Sequence, residues 1–256
     1  MKRILTAAAL VPLVVYVVLA GPPWAVYTMV VAVCAICYHE YSGIAEAYGF
    51  GKLGPLGYGA GLLLIAAAGE ALAVGTCFAA VALALSMRTD DLARTLPRAA
   101  LMVMGVFYVF GPFRCALLIR EVSPHWLMYA LLVSWIGDTG AYYVGRRWGR
   151  HKLAPRISPA KSWEGAAASV AVAIAAGVLY LHWTIPAVSW LTAALLSAVV
   201  NAAGQAGDLA ESAMKRGAGI KDSGTILPGH GGFLDRVDSS LFTLPAVYLY
   251  LRAVQF

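Results

Sequence analysis

The sequence predicts an all-α, polytopic integral membrane protein of about nine transmembrane helices, with its active site at the cytoplasmic boundary of the C-terminal half. Three observations carry this expectation. Apolar residues make up 61% of the chain and charged residues 12%, against about 25% charged in an ordinary soluble domain. Several apolar stretches run to about 20 residues, the length a helix needs to cross ~30 Å of hydrocarbon. These stretches are apolar all round, whereas barrel strands would alternate in polarity over ~10 residues.

The nine spans are read at residues 4–20, 23–44, 55–69, 71–87, 99–119, 125–145, 165–183, 187–207 and 238–254. The first follows Met1-Lys2-Arg3 and resembles a signal peptide, with Val18-Leu19-Ala20 as a cleavage site. An equally apolar segment follows at once, which favours an uncleaved span. The second span carries Cys34 and Cys37 in redox spacing with no second pair nearby. These two, with Cys77 and Cys115, read as small packing residues, implying neither disulfide nor zinc site. The third and fourth spans are short and separated by a thin turn at Gly69-Glu70, which leaves a single re-entrant unit open. Residues 1–130 read mainly as scaffold, apart from Glu40 and Glu46 near one cytoplasmic end. Residues 131–256 read as the catalytic half, with cytoplasmic loops at 146–163 and 215–236. No internal repeat or low-complexity linker divides the chain, so a single transmembrane domain is expected.

Charge sets the orientation. With the N-terminus in the cytoplasm, 16 of the 19 Lys and Arg residues fall in inside loops, leaving only Arg114, Arg120 and Arg252 elsewhere. That bias follows the positive-inside rule and puts the C-terminus outside, in a cell inner (cytoplasmic) membrane. The net charge of +6 suits loops facing anionic lipid. The basic residues are dispersed between spans, so nucleic acid is not an expected partner.

Seven of the 13 acidic residues lie between Asp138 and Asp238, and the chemistry is expected there. At the end of the eighth span, Asp208, Glu211, Ser212 and Lys215 are spaced to share about a 100° arc of one helix face. Two carboxylates, a hydroxyl and an ammonium on one stripe suit a divalent cation together with a phosphate, and hard oxygen ligands point to Mg²⁺. The bland alternative is an intrahelical ion-pair stripe. Asp235 and Asp238 repeat the spacing at the start of the last span. Asp235 reads as a metal ligand facing Asp208, and Asp238 as a ligand or a helix cap. In Pro228-Gly229-His230-Gly231-Gly232, glycine permits close backbone approach and amides able to cradle phosphate. His230 either binds phosphate or hydrogen-bonds the loop. In the other loop Lys161 and Ser162 read as phosphate binders, and Glu164 as a cap or a functional group. Asp138 and Tyr142 stand four residues apart inside the sixth span, where a buried Asp needs a partner.

Residues 212–238, SAMKRGAGIKDSGTILPGHGGFLDRVD, resemble the signature of the phosphatidate cytidylyltransferases, the CDP-diacylglycerol synthases. Asp138-x-x-Ala141-Tyr142-x-x-Gly145-Arg146 and Ser158-Pro159-x-Lys161-Ser162-x-Glu164-Gly165 are similar to further motifs of that family. The resemblance covers roughly residues 138–238, and the preceding residues match only as hydrophobic spans. One departure is Ala160, where relatives often carry a second Lys, which removes one phosphate contact. The resemblance implies transfer of CMP from CTP to phosphatidic acid, giving CDP-diacylglycerol and pyrophosphate in phospholipid biosynthesis. It implies Mg²⁺ as cofactor, with K⁺ as a candidate companion. Asp208, Ser212, Lys215 and Asp235 are then the cation and phosphate residues, supported by Arg216, Lys221, Asp222 and Arg236. The expected partners are CTP, phosphatidic acid and membrane lipid, with a homodimer as the candidate assembly. The rival readings are a CTP-dependent polyprenol kinase, a cytidylyltransferase for an isoprenoid ether lipid, and a transporter using the polar stripe as an ion path.

Overall fold

The structure, a computed structural model, describes residues 2–67, 69–88, 91–226 and 231–254, with side chains from Leu10 onward. It is all-α apart from one small hairpin. The helices are α1 (Lys2–Ala20), α2 (Pro23–Ala47), α3 (Leu56–Ala66), α4 (Ala71–Ser86), α5 (Thr95–Val122), α6 (Pro124–Trp148), α7 (Trp163–Thr184), α8 (Trp190–Gly217), α9 (Leu234–Val237) and α10 (Ser240–Ala253). Strands β1 (Lys152–Ala154) and β2 (Ser158–Ser162) pair antiparallel between α6 and α7.

Among the described residues, the helical segments Pro23–Ala47, Leu92–Val122 and Trp163–Thr184 are long and apolar enough to cross a bilayer. The exterior agrees with a membrane setting. Leu72, Trp183 and Leu191 are 83%, 80% and 70% exposed, a surface that water would penalise and lipid would not. Helix α3 has 11 residues and rises only about 16 Å, short of the ~30 Å hydrocarbon core. Both α3 and α4 lean on α5.

Two arginines that fell outside the cytoplasmic loops have structural work. Arg114 donates to the carbonyls of Leu64 and Ile65, near the C-terminal end of α3, at 2.8 and 3.3 Å. Arg120 donates to Val18 and Gly21 at the end of α1, at 3.2 and 2.7 Å. Cations at helix C-termini satisfy orphan carbonyls and oppose the helix dipole.

Helices α6, α7 and α8 form the tightest group, joined by small residues and buried polar bonds. A Cβ on Gly137 would strike the Asn201 amide, and one on Gly177 would strike Ser197. Asn201 bonds Ser169 across the α7–α8 contact at 3.1 Å, and Tyr129 meets Ser197 at 2.8 Å. Close approach through glycine with interhelical hydrogen bonding is the usual way helices associate in lipid. On the other side, Tyr38, Tyr41 and Phe110 make an aromatic core between α2 and α5. Cys34 and Cys37 are fully buried free thiols, as packing residues should be.

The structure alters three expectations. Helix α8 runs on to Gly217, so Lys215 and Arg216 are helical and not loop residues. The loop read at 215–236 ends in the short helix α9, which precedes α10, the last span. The loop read at 146–163 begins inside α6, which extends to Trp148, and folds back as the hairpin.

Candidate active site

The hairpin positions the first group of polar residues. Ser162 caps α7, its hydroxyl accepting from the Gly165 amide at 3.2 Å. Glu164 turns back to accept from the amides of Arg150 and His151, both at 3.2 Å, and meets His151 Nδ1 at 2.6 Å. This clamp ties the entry of β1 to the start of α7, and β2 carries Lys161 to α8. There Lys161 Nζ pairs with Asp208 Oδ2 at 2.7 Å.

The stripe expected on α8 is present and has two parts. Ser212 donates to Asp208 Oδ1 at 3.4 Å, and Lys215 pairs with Glu211 Oε2 at 2.6 Å, each across one helical turn. Glu211 is fully buried, and its second oxygen, Oε1, has no hydrogen-bond partner among the described residues. Lys215 Nζ also reaches Asp235 Oδ1 on α9, at 2.5 Å. Asp235 accepts in addition from the amides of Ser223, at 3.1 Å, and Gly232, at 2.8 Å. Burial pushes the Asp235 carboxyl up, but the hydrogen bonds from Lys215 and the Gly232 amide outweigh it and hold it below the ordinary carboxylate value. Gly231 takes φ +80°, a left-handed conformation suited to glycine, and a Cβ there would press on Asp235 Oδ2.

A third group closes the arrangement. The Ser239 hydroxyl lies 3.5 Å from Asp138 Oδ2 and 3.4 Å from Asp238 Oδ1, so α6 and the turn between α9 and α10 meet at carboxylates.

These groups surround one cleft of about 910 Å³. It is lined by Asp138, Tyr142, Lys161, Ser162, Asp208, Lys215, Asp222, Asp235, Arg236 and Asp238. Ser212, Glu211, Gly231 and Gly232 are not part of this lining, and the Gly232 amide is committed to Asp235. Arg216 is turned away, bonding the Ile157 and Ile220 carbonyls at 3.4 and 3.1 Å. Lys221 is exposed outside the lining. His230 lies outside the described residues. Tyr142 accepts from Arg146 at 2.8 Å, so Arg146, quoted in the sequence only as part of a motif, stands at the cleft as well.

An apolar groove of about 270 Å³ lies beside the cleft, lined by residues of α1, α2, α5, α6, α9 and α10. Trp135 and Arg236 line both spaces. Sequence reasoning missed this junction because six helices from both ends of the chain create it.

The residues fit a divalent cation of the Mg²⁺ type. Among the described residues no three acidic, His or Cys side chains form a ready-made cage. Mg²⁺ needs none, since one or two carboxylates with water and substrate phosphate suffice, and four aspartates besides Asp222 line the cleft.

Comparison with known proteins places the chain. The cytidylyltransferase family model matches residues 1–254. The phosphatidate cytidylyltransferase of Staphylococcus haemolyticus is 42% identical over 153 residues, covering 60% of this chain and 59% of that protein. Its namesake in Bacillus subtilis is 37% identical over 160 residues, covering 61% and 60%. The Staphylococcus aureus protein is 40% identical over 153 residues, covering 60% and 59%. The chain thus aligns with about three fifths of the length of these curated relatives. With the family's model matching residues 1–254, the chain belongs to the cytidylyltransferase family.

Proposed function

We propose that the protein is a CTP:phosphatidate cytidylyltransferase, transferring CMP from CTP to phosphatidic acid with release of pyrophosphate. The observation that carries this reading is the junction at Arg236, where a cleft of mixed charge meets an apolar groove. One side suits the phosphates of a nucleotide and the other suits acyl chains. The named activity of the relatives supports the same reaction.

In this reading a phosphate oxygen of the lipid attacks the α-phosphorus of CTP, and the bond to the pyrophosphate oxygen breaks. A phosphate monoester is already largely ionised near neutral pH, so the site needs no strong base. Its task is to bring two polyanions together, which positioning and charge neutralisation accomplish. Lys161, Lys215 and Arg236 offset phosphate charge, and Ser162, Asp138 and Tyr142 shape the mouth. Asp208, Asp235 and Asp238 are the residues that would hold Mg²⁺, with Glu211 behind them and K⁺ as a candidate companion. Bound there, Mg²⁺ would neutralise phosphate oxygens and support the leaving group.

The membrane arrangement belongs to the same proposal. Nine spans would form one transmembrane domain in the inner membrane, with the N-terminus cytoplasmic and the C-terminus outside. The cleft would then face the cytoplasm, where CTP arrives from water while the acyl chains stay in lipid.

The test is a turnover assay in mixed micelles with phosphatidate, Mg²⁺ and CTP labelled at its α-phosphate. Label in lipid with pyrophosphate release is the expected result. CDP release with label-free lipid on adding a polyprenol would assign the protein to the kinases, and no turnover with any lipid acceptor would overturn the reading.

A further inference from the structure

The N-terminal half contributes one buried carboxylate that the proposed chemistry does not use. Glu40, on α2, is 3% exposed. Burying a carboxylate is costly unless it is paired or well hydrogen-bonded, and among the described residues no Lys, Arg or His pairs with it. Its partners are three neutral donors from the far end of the chain. The Ser223 hydroxyl donates to Oε2 at 3.2 Å, the Phe233 amide to Oε1 at 2.9 Å, and the Leu234 amide to Oε2 at 2.7 Å.

These donors stand at the two ends of one segment, 223 on one side and 233–234 on the other. Asp235 ties the same ends together from within, accepting from the amides of Ser223 and Gly232. The backbone is built around the Glu40 carboxylate, since a Cβ on Gly224 or Gly232 would collide with it. Leu234, whose amide Glu40 holds, opens α9 and immediately precedes Asp235 and Arg236. A shift in that amide therefore moves the Asp235 contact with Lys215 and the Arg236 guanidinium in the cleft.

We propose that Glu40 is a positioning residue for the reaction: through the Ser223 hydroxyl and the Phe233 and Leu234 amides it fixes the start of α9, and so the placing of Asp235 and Arg236 against the nucleotide phosphates. The catalytic part of this statement rests on the cytidylyltransferase reading, while the structural part does not.

The test uses Glu40→Gln in the full-length protein in detergent. Glutamine keeps the shape but replaces one acceptor oxygen with a donor, which must face a donor already there. Expected is a loss of kcat of roughly 10- to 100-fold, the range found when the outer support of a site is removed. The KM for CTP should rise while the KM for phosphatidate changes less than about twofold, a split that a general loss of folded protein would not produce. Hydrogen exchange, measured without nucleotide or lipid, should quicken at the 231–235 amides and stay as in the parent protein in α5 and α7. Ser223→Ala removes one donor without stranding a charge. It should shift exchange and kcat in the same direction but less, with Ser223→Thr restoring both, and it carries the test if Glu40→Gln does not fold. Parent-like exchange at 231–235 together with parent-like kinetics would overturn the proposal. Because exchange is read without substrates, a failure of the parent protein to transfer label to lipid would overturn the reaction assignment separately.

Discussion

Lys215 of α8 meets Asp235 of α9 at 2.5 Å, joining the charged stripe of one helix to a residue 20 positions further along the chain. The same ammonium holds Glu211 at 2.6 Å, and all three side chains are almost wholly buried. One cation therefore bridges two carboxylates that would otherwise repel each other.

Removing that cation should be severe. Stranding a buried partner costs about 3–5 kcal/mol, so Lys215→Ala should lower the melting temperature sharply in detergent and abolish turnover. Adding Glu211→Gln should recover part of the stability and none of the activity. Full activity in the double variant would show that Lys215 acts only in folding.

Asp208→Ala and Asp235→Ala should each abolish cytidylyl transfer while expression and membrane insertion persist, and a chelator should stop the parent protein until Mg²⁺ is restored. Near-normal turnover in both variants would remove these carboxylates from the proposed cation site.

Lys161 is 25% exposed and reaches Asp208 from the hairpin. A hydrogen bond to a charged group is worth about 1.5–3 kcal/mol, so Lys161→Ala should lower kcat/KM for CTP roughly 10- to 150-fold, with a much smaller change in melting temperature. An unchanged kcat/KM would leave Lys161 as a partner for Asp208 alone.

The packing of α6 and α7 on α8 around Asn201 can be tested apart from the chemistry. Gly137→Val drives methyl groups into the Asn201 amide, and overpacking of this kind costs about 1–3 kcal/mol. Asn201→Leu should cost less, about 0.6–1.7 kcal/mol, the usual worth of a polar bond between membrane helices. Thermal unfolding in one detergent compares the two directly, and the reverse order would show that the polar bond matters more there than the close approach.

The parts legible in the sequence are those set by local geometry. Helical spacing alone places Ser212 against Asp208 and Lys215 against Glu211, and hydropathy marks the apolar helices. What sequence could not supply is pairing at long range. The partner of Lys161 lies 47 residues away, and nothing local says which of several carboxylates it meets. The hairpin escaped notice because its strands have three and five residues, one of them containing Pro159, too short for an alternating pattern. The short α9 leaves no trace in hydropathy, since two of its four residues, Asp235 and Arg236, are charged. Glu40 carried a readable signal, an acid within an apolar span, but its donors lie 183 to 194 residues away.

That distance has a meaning in time as well as in space. A nascent chain grows at about 5–20 residues per second, so Glu40 is synthesised roughly 10–40 s before the Leu234 amide it will hold. The first helices must therefore enter the bilayer with an acid still awaiting its donors. The cleft can assemble only once α9 has been made, so a chain released before α9 would lack the donors that complete it.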